Sequence, residues 1–533
     1  MDIVSMSHGM VGERHHHTEA TSRPGLVYVT DTQFQLPRPG KYRLCWGLAM
    51  QQASTSFIPA RSVGLLMAAG LLFVPFDGVR GVSALGELGN ELSFPFFAGA
   101  IAIGLVMGLR TGEARLQNSL ALRIGAACLA VIALSYAVNA GAINSGEVRG
   151  RAALPKFTTS LLVIVYGIGL AWLAEQVPPG EFRKRVARYI GWSAAIAIGY
   201  ALFELAGRSI LRGPFTLVDA LVHSRQSDII NSWDGRINQK VLFNWDERIR
   251  SVSFEPPAFG NFTGFAWPWL WFGAVAAPAG RKLWSWALLT AFTATILLSQ
   301  SRTGLLMFAV NLLGLGALAF LYARPRASSE AAAAMRLVLP SAMLLAGIVV
   351  ALRTLDQSQA LVDRVVLGDS VSNLSRLAFQ SAGLSIFLAH PLVGVGLGQF
   401  GFHVADALPA WAFLSPEVRP MVTFAEAPWP NVYNLYVRLA AELGLIGLLG
   451  WCLLWSNLFF RLGRQARAAD QLDFTLRFAA YPVALNCLGV LASGITTDTL
   501  RTPMLWISLG LACSLVRQDK RVPAPSISQA ATA

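Results

Sequence analysis

Hydrophobic and polar positions along this chain alternate in blocks rather than in narrow stripes. Twelve apolar runs stand out, at 57–76, 93–109, 119–138, 157–176, 187–206, 258–278, 283–299, 303–322, 336–352, 431–459, 474–494 and 502–516. At 1.5 Å per helical residue, runs of this length approach or match the ~30 Å of hydrocarbon in a bilayer. Most are separated by short polar turns. Two separations are long, 207–257 and 353–430. The pattern predicts an all-α polytopic integral membrane protein whose membrane domain covers 55–517 and carries two large extramembrane loops. Residues 1–54 are polar, with scattered Gly, Pro and Thr and no helical period, and predict a disordered tail or an overlong start with Met50 as the true one. Near Met1 there is no short apolar core of a signal peptide, so the first span would direct insertion. Residues 518–533 form a second polar tail.

Composition agrees with this division. The 533 residues are 54% hydrophobic and 14% charged, with a mean hydropathy of +0.50, which excludes an ordinary soluble domain. A net charge of +13 would suit a nucleic-acid partner, but its placement argues otherwise. Basic residues cluster in alternate loops: Arg110/Arg115, Arg183/Lys184/Arg185/Arg188, Arg281/Lys282, Arg324/Arg326 and Arg461/Arg464/Arg467, with Arg517, Lys520 and Arg521 after the last span. The positive-inside rule then puts both termini and all these clusters in the cytoplasm, and both long loops on the opposite face. Long loops translocate largely regardless of their charge, so their arginines are no contradiction. Five cysteines show no paired spacing, and His15–His17 stand alone in the polar tail. No disulfide framework, metal site or cofactor is indicated.

Three short stretches carry chemistry. The first is Ser299-Gln300-Ser301-Arg302-Thr303-Gly304, a tight turn between two apolar runs. It sets Arg302 at a membrane–water boundary, where a charge is hydrated, paired or used. Arg302 is either an interfacial arginine reaching for headgroups or part of an anionic-lipid or pyrophosphate site. The second closes the first long loop: Arg248-Ile249-Arg250-Ser251-Val252-Ser253-Phe254-Glu255-Pro256-Pro257. The prolines force an extended entry to the next helix and hold Glu255 and two arginines near the bilayer surface. This is either a structural ion pair or a carboxylate that accepts a proton from a sugar hydroxyl while an arginine holds phosphate.

The third lies in the second long loop. Ser375-Arg376-Leu377 opens an apolar stretch that predicts a short interfacial or re-entrant helix over 377–389, followed by His390-Pro391-Leu392-Val393-Gly394-Val395-Gly396-Leu397-Gly398-Gln399. Gln399 breaks the GxGxxG spacing and no strand–helix unit surrounds it, so a nucleotide loop is rejected. The glycines predict a turn where chain and substrate approach closely, and His390, before a proline, a loop or capping role. Trp429-Pro430-Asn431-Val432-Tyr433-Asn434 then leads into a span in which Arg438 and Glu442 stand one turn apart and can pair. Glycines at 444, 447 and 450 allow close helix packing.

In this order, these segments resemble the O-antigen ligase/Wzy-type polymerase superfamily of bacterial envelope polysaccharide assembly. The resemblance covers about 240–460 and rests on SQSRTG, the Arg…Pro-Leu-Val-Gly-Val-Gly-Leu-Gly loop and Asn-Leu-Tyr…Glu-Leu-Gly-Leu-Ile-Gly. It implies a GT-C-like, all-helical membrane glycosyltransferase of the bacterial inner membrane, with a cavity open to the periplasm. Its donor would be an undecaprenyl-diphosphate-linked oligosaccharide, and no metal or cofactor would be needed. Arg302, with Arg376 and Arg250, would grip the diphosphate; Ser301, Tyr433 and Asn434 would bind substrate. Attack by an acceptor hydroxyl would invert the anomeric centre. A flippase and a chain-length regulator would be pathway partners.

The sequence departs from the ligase pattern of His-Asn, nine residues and Gly-x-x-Gly. Here Tyr433-Asn434 precede Gly444-Leu445-Ile446-Gly447. With a reference pKa near 10, tyrosine is a poor base at neutral pH. Phe254-Glu255-Pro256 also resembles exopolysaccharide polymerases, with Glu255 as proton acceptor or acceptor-sugar contact. The expectation is therefore a polymerase making O-antigen, capsule or exopolysaccharide. The alternatives are a ligase that moves finished glycan to lipid A core or protein, and a transporter or flippase. The last would call for internal repeats and charges at the membrane midplane, and neither is evident.

Overall fold

The computed structural model describes residues 61–79, 88–110, 119–182, 184–224, 248–322, 371–425, 427–469, 474–498 and 500–518. The chain divides into two units, Met1–Phe57 and Ile58–Ala533, and every described residue lies in the second. The polar tail 1–54, the apolar run 336–352 and the stretches 225–247 and 353–370 of the two long loops fall outside the described residues.

Each predicted run that lies among the described residues is helical. In chain order the helices are α1 (Arg61–Phe73), α2 (Phe94–Arg110), α3 (Leu120–Ser145), α4 (Ala153–Glu175), α5 (Pro179–Phe182), α6 (Val186–Gly207), α7 (Arg212–Val222), α8 (Pro256–Val275), α9 (Ala279–Leu298) and α10 (Arg302–Tyr322). They continue as α11 (Val371–Ala389), α12 (Phe400–Ala407), α13 (Val418–Thr423), α14 (Leu435–Ala469), α15 (Phe474–Ser493) and α16 (Pro503–Gln518). Among the described residues four stretches are long and apolar enough to cross a bilayer: Leu120–Ser145, Ala153–Glu175, Pro179–Gly207 and Leu435–Gln465. With the shorter apolar helices they make a polytopic helical membrane protein.

The core forms where small residues let helices close up. At the α8–α10 crossing, a Cβ added to Gly260 would lie 2.5 Å from the amide nitrogen of Gly304, so the two backbones touch. This contact brings the first turns of α8 and α10 side by side. Aromatic side chains fill the space deeper in, with Phe259, Phe262, Phe265 and Trp269 of α8 fully buried. α3 runs seven residues beyond its predicted end at 138. Its extra turns are held by Asn139, whose Nδ2 donates to the carbonyl of Gly394 (3.0 Å). A two-residue hairpin, Glu147–Val148 against Arg151–Ala152, then leads into α4.

The predicted helix at 377–389 is present and starts earlier, as α11, and the glycine run that follows packs into a neighbouring helix. α14 is broken at Gly444 (φ 65°, ψ −163°). Across the break, the amides of Val395 and Gly396 donate to the carbonyls of Ala441 (3.0 Å) and Glu442 (2.9 Å). The amides of Leu445 and Ile446 donate to Pro391 (2.8 Å) and Leu392 (3.3 Å). The loop thus repays the hydrogen bonds that the broken helix loses, as apolar surroundings require. A Cβ at Gly444 would stand 2.3 Å from the Leu392 carbonyl. The glycines serve close chain-to-chain contact here.

Candidate functional site

The strap 248–255, which enters α8, has almost no freedom. The carboxylate of Glu204 accepts from the amides of Arg250 (3.3 Å) and Ser251 (3.0 Å). Asp77 accepts from the amide of Phe254 (2.7 Å), and Ser253 Oγ donates to the carbonyl of Pro75 (2.8 Å). His223, just past α7, places Nε2 2.9 Å from the Ser253 carbonyl and Nδ1 2.8 Å from Asp219. Backbone pinned this way lets Glu255 occupy the position just before α8, where Pro256 and Pro257 start the helix.

The two arginines of the strap part company. Arg250 is buried, and its guanidinium forms an ion pair with Asp219 at 2.7 Å. Asp219 also accepts from the Tyr200 hydroxyl at 2.9 Å. Burial alone would raise the Asp219 pKa, but the His223 hydrogen bond and the Arg250 charge hold it below the usual carboxylate range. Arg248 turns instead to the 299–304 stretch, where Nε and Nη2 donate to the carbonyls of Ser299 and Gln300, each at 3.3 Å. In an ordinary strand residues 248 and 250 would share a face. The half-buried acid Asp219 draws Arg250 one way and the carbonyls of Ser299 and Gln300 draw Arg248 the other, and neither partner is legible in an Arg-x-Arg pattern.

The stretch 299–304 is the turn expected, built by its hydroxyls. Ser301 Oγ accepts from the amide of Gly304 (3.2 Å) and caps α10. Gln300 takes the left-handed conformation (φ 46°). Thr303 Oγ1 lies 3.0 Å from Thr496 Oγ1, tying the start of α10 to the segment after α15. Ser299, Ser301 and Thr303 are buried, whereas Arg302 is exposed on the first turn. Of this motif Gln300 and Arg302 are presented outward, while the buried Ser301 hydroxyl accepts the cap hydrogen bond.

From the second long loop, Arg376 on α11 sits with its guanidinium carbon 5.4 Å from the centroid of the Tyr433 ring. Tyr433 has φ 59°. Burial pushes its phenol well above the ordinary value, with the charge of Arg376 opposing and those of Glu417, Glu255 and Asp498 adding to the rise. A phenol shifted this way is no base near neutral pH, and it is the ring that meets the Arg376 guanidinium. Asn434 caps α14: its Oδ1 accepts from the amides of Tyr436 (3.0 Å) and Val437 (3.1 Å), and Nδ2 donates to the Ile495 carbonyl (3.2 Å). Arg438 and Glu442 do pair, at 3.2 Å, and Arg438 also donates to the Asp498 carbonyl (2.9 Å). Asp498 in turn accepts from the amide of Val432 (2.7 Å). The 494–498 turn that organises these contacts has one sequence signal, the polar run Thr496-Thr497-Asp498 between two apolar helices, which no motif marks.

Glu255, Arg302 and Arg376 all lie close enough to act on Arg248. Burial lowers the Arg248 pKa; Glu255 opposes that shift, and Arg302 and Arg376 reinforce it. Glu255 also acts on Tyr433. Charges from three separate stretches of sequence, three of the four cationic, thus lie within electrostatic reach of Arg248. The first turns of α8 and α10 lie beside it and add the positive ends of their dipoles. Among the described residues, no three His, Cys, Asp or Glu side chains gather as a metal-binding group.

Fold and site together define a class: a polytopic helical membrane protein in which three arginines and a carboxylate come within electrostatic reach of one another near the ends of its helices. A family model described as O-antigen ligase matches residues 286–452, about a third of the chain. Over that segment the chain is similar to the O-antigen ligase family, in agreement with the resemblance its motifs carry. The match includes Arg302, Arg376, Tyr433 and Asn434, whereas Arg248 and Glu255 lie ahead of it. No curated protein matches the chain.

Proposed function

We propose that the protein is a polysaccharide polymerase of the bacterial inner membrane, joining undecaprenyl-diphosphate-linked oligosaccharide repeat units on the periplasmic face. The observation that carries this reading is that Glu255, Arg302 and Arg376, from three separate stretches of sequence, all act electrostatically on Arg248. In the proposed reaction a hydroxyl of the incoming repeat unit attacks the anomeric carbon of the growing chain. The new glycosidic bond forms as the bond from that carbon to the phosphate oxygen breaks, with inversion. Glu255 takes the proton of the attacking hydroxyl. Undecaprenyl diphosphate leaves with the bonding electron pair, and the guanidinium groups neutralise the charge that collects on it. Tyr433 keeps Arg376 in place, and Asn434 fixes the start of α14 beneath both. A flippase would supply the units, and a chain-length regulator would set the product size.

The second reading is a ligase, which the description of the matched family favours. It uses the same donor and the same arginines but a different acceptor. Cells carrying Arg302→Ala at normal protein level, with carrier-linked glycans extracted and sized by mass spectrometry, separate the readings. Polymerisation predicts single repeat units on the carrier, facing the periplasm, and no long chains. Long polymer retained on the carrier would mean ligation, units trapped on the cytoplasmic face would mean transport, and an unchanged profile would return Arg302 to headgroup contact alone.

A further inference from the structure

Helix α7 is amphipathic in an unusual place. It begins four residues after α6, and no residue of α7 is fully buried. Leu217 and Leu221 stand one turn apart and are 71% and 69% exposed; Ile210, just ahead of the helix, is 86% exposed. Pro214, also exposed, falls on the same stripe. Asp219 lies two residues from each leucine and therefore on the opposite face. That inner face is fully engaged: Asp219 bonds Tyr200 and Arg250, and Phe215 packs edge-on against Phe203 at 5.6 Å.

The apolar stripe also continues a surface. Trp192, Ile196, Leu202 and Leu205 are exposed along α6, within a stretch long and apolar enough to cross a bilayer. Side chains exposed on such a helix meet lipid, and Ile210, Leu217 and Leu221 extend that surface past the end of α6. Arg212 is exposed on the first turn of α7, as expected of a basic residue at the headgroup level. A second copy of the chain would explain the apolar stripe but not its continuity with α6.

We infer that α7 is an interfacial helix bedded by Ile210, Leu217 and Leu221 in the headgroup layer, on the side of the membrane that bears Arg302. Asp219 and the adjoining His223 are thereby held at a fixed depth, and through them so is the strap that carries Arg248 and Glu255. The bilayer surface becomes one wall of the support for the site, whichever acceptor the reaction uses.

The test uses the full-length chain with its native cysteines replaced by serine. It is reconstituted in phosphatidylethanolamine/phosphatidylglycerol vesicles and labelled with NBD at Leu217→Cys, Leu221→Cys or Thr216→Cys. Thr216 is exposed off the stripe and serves as the water-facing reference. At 217 and 221 the inference predicts quenching by shallow doxyl lipid and iodide quenching about fivefold weaker than at 216. Equal iodide quenching at all three positions would make α7 an aqueous loop and overturn it. Protection of 217 and 221 from both quenchers would mean that protein covers the stripe, which also overturns it. The readout involves no glycan chemistry, so its failure leaves the polymerase reading untouched and the converse also holds.

Discussion

The strap 248–255 and the glycine loop 390–399 are both short, motif-rich and pinned at nearly every residue, yet they do opposite things. In the strap the backbone is held by side chains from elsewhere, Asp77, Glu204 and His223, and this leaves the Arg248 side chain to reach the 299–300 carbonyls and sets Glu255 at the start of α8. In the glycine loop it is backbone that binds backbone, across the break in α14 at Gly444. A segment rich in polar side chains is anchored so that it can present charge; a segment stripped of side chains is anchored so that a helix can be interrupted. A conspicuous motif therefore says that a segment is constrained, and only its partners say what the constraint serves.

Substitutions can break this contrast. The largest effect is expected from Glu255→Gln, which removes the proton acceptor and keeps the shape. Chain elongation in membranes should fall on the order of 10³-fold with protein level unchanged; a polymer profile within a few-fold of normal would make Glu255 a structural partner. Gly444→Ala should act on the other region, through stability. Its backbone conformation is one that only glycine adopts readily, and the added Cβ would meet the Leu392 carbonyl at 2.3 Å. A loss of about 4 kcal/mol is expected, visible as loss of folded protein on detergent gel filtration; a fully folded variant would sink the account of the break.

Asp219→Asn should cost about 3 kcal/mol at neutral pH, because buried Arg250 loses its counter-charge. The sign of its pH dependence follows from the depressed pKa of Asp219. Its stabilisation is present above the unfolded carboxylate value, about 3.9, and is lost as pH falls through the lower folded value. Thermal unfolding midpoints of wild type and variant should therefore differ most near pH 7 and converge below about pH 4; a gap that widens in acid would contradict the pairing. The smallest effect is predicted for Tyr433→Phe. The ring under Arg376 is kept, and elongation should stay within about threefold of wild type, whereas loss comparable to that of Glu255→Gln would make the phenol the acid–base group.

Helical blocks and their order were legible because apolar runs of bilayer length have few other fates. The 299–304 turn, the Arg438–Glu442 pair and the helix before the glycine run were legible too, since spacing alone governs them. Arg248 and Arg250 could not be told apart, because the choice depends on Asp219, some thirty residues earlier in sequence. The capping roles of Ser301 and Asn434 were hidden for a related reason: a hydroxyl or an amide at a helix start can serve its own backbone or a ligand equally well. The break at Gly444 was read as close helix packing, because glycine permits both and only the facing loop decides.

The central claim is that stretches far apart in sequence form one diphosphate site. The most direct measurement is the affinity of the full-length protein in nanodiscs for undecaprenyl diphosphate itself, for wild type, Arg302→Ala and Arg376→Ala. The account predicts that each substitution weakens binding by about tenfold or more, the effect of losing one charge-assisted contact. If only one of the two arginines matters, or neither does, the two loops do not build a common site and the claim fails.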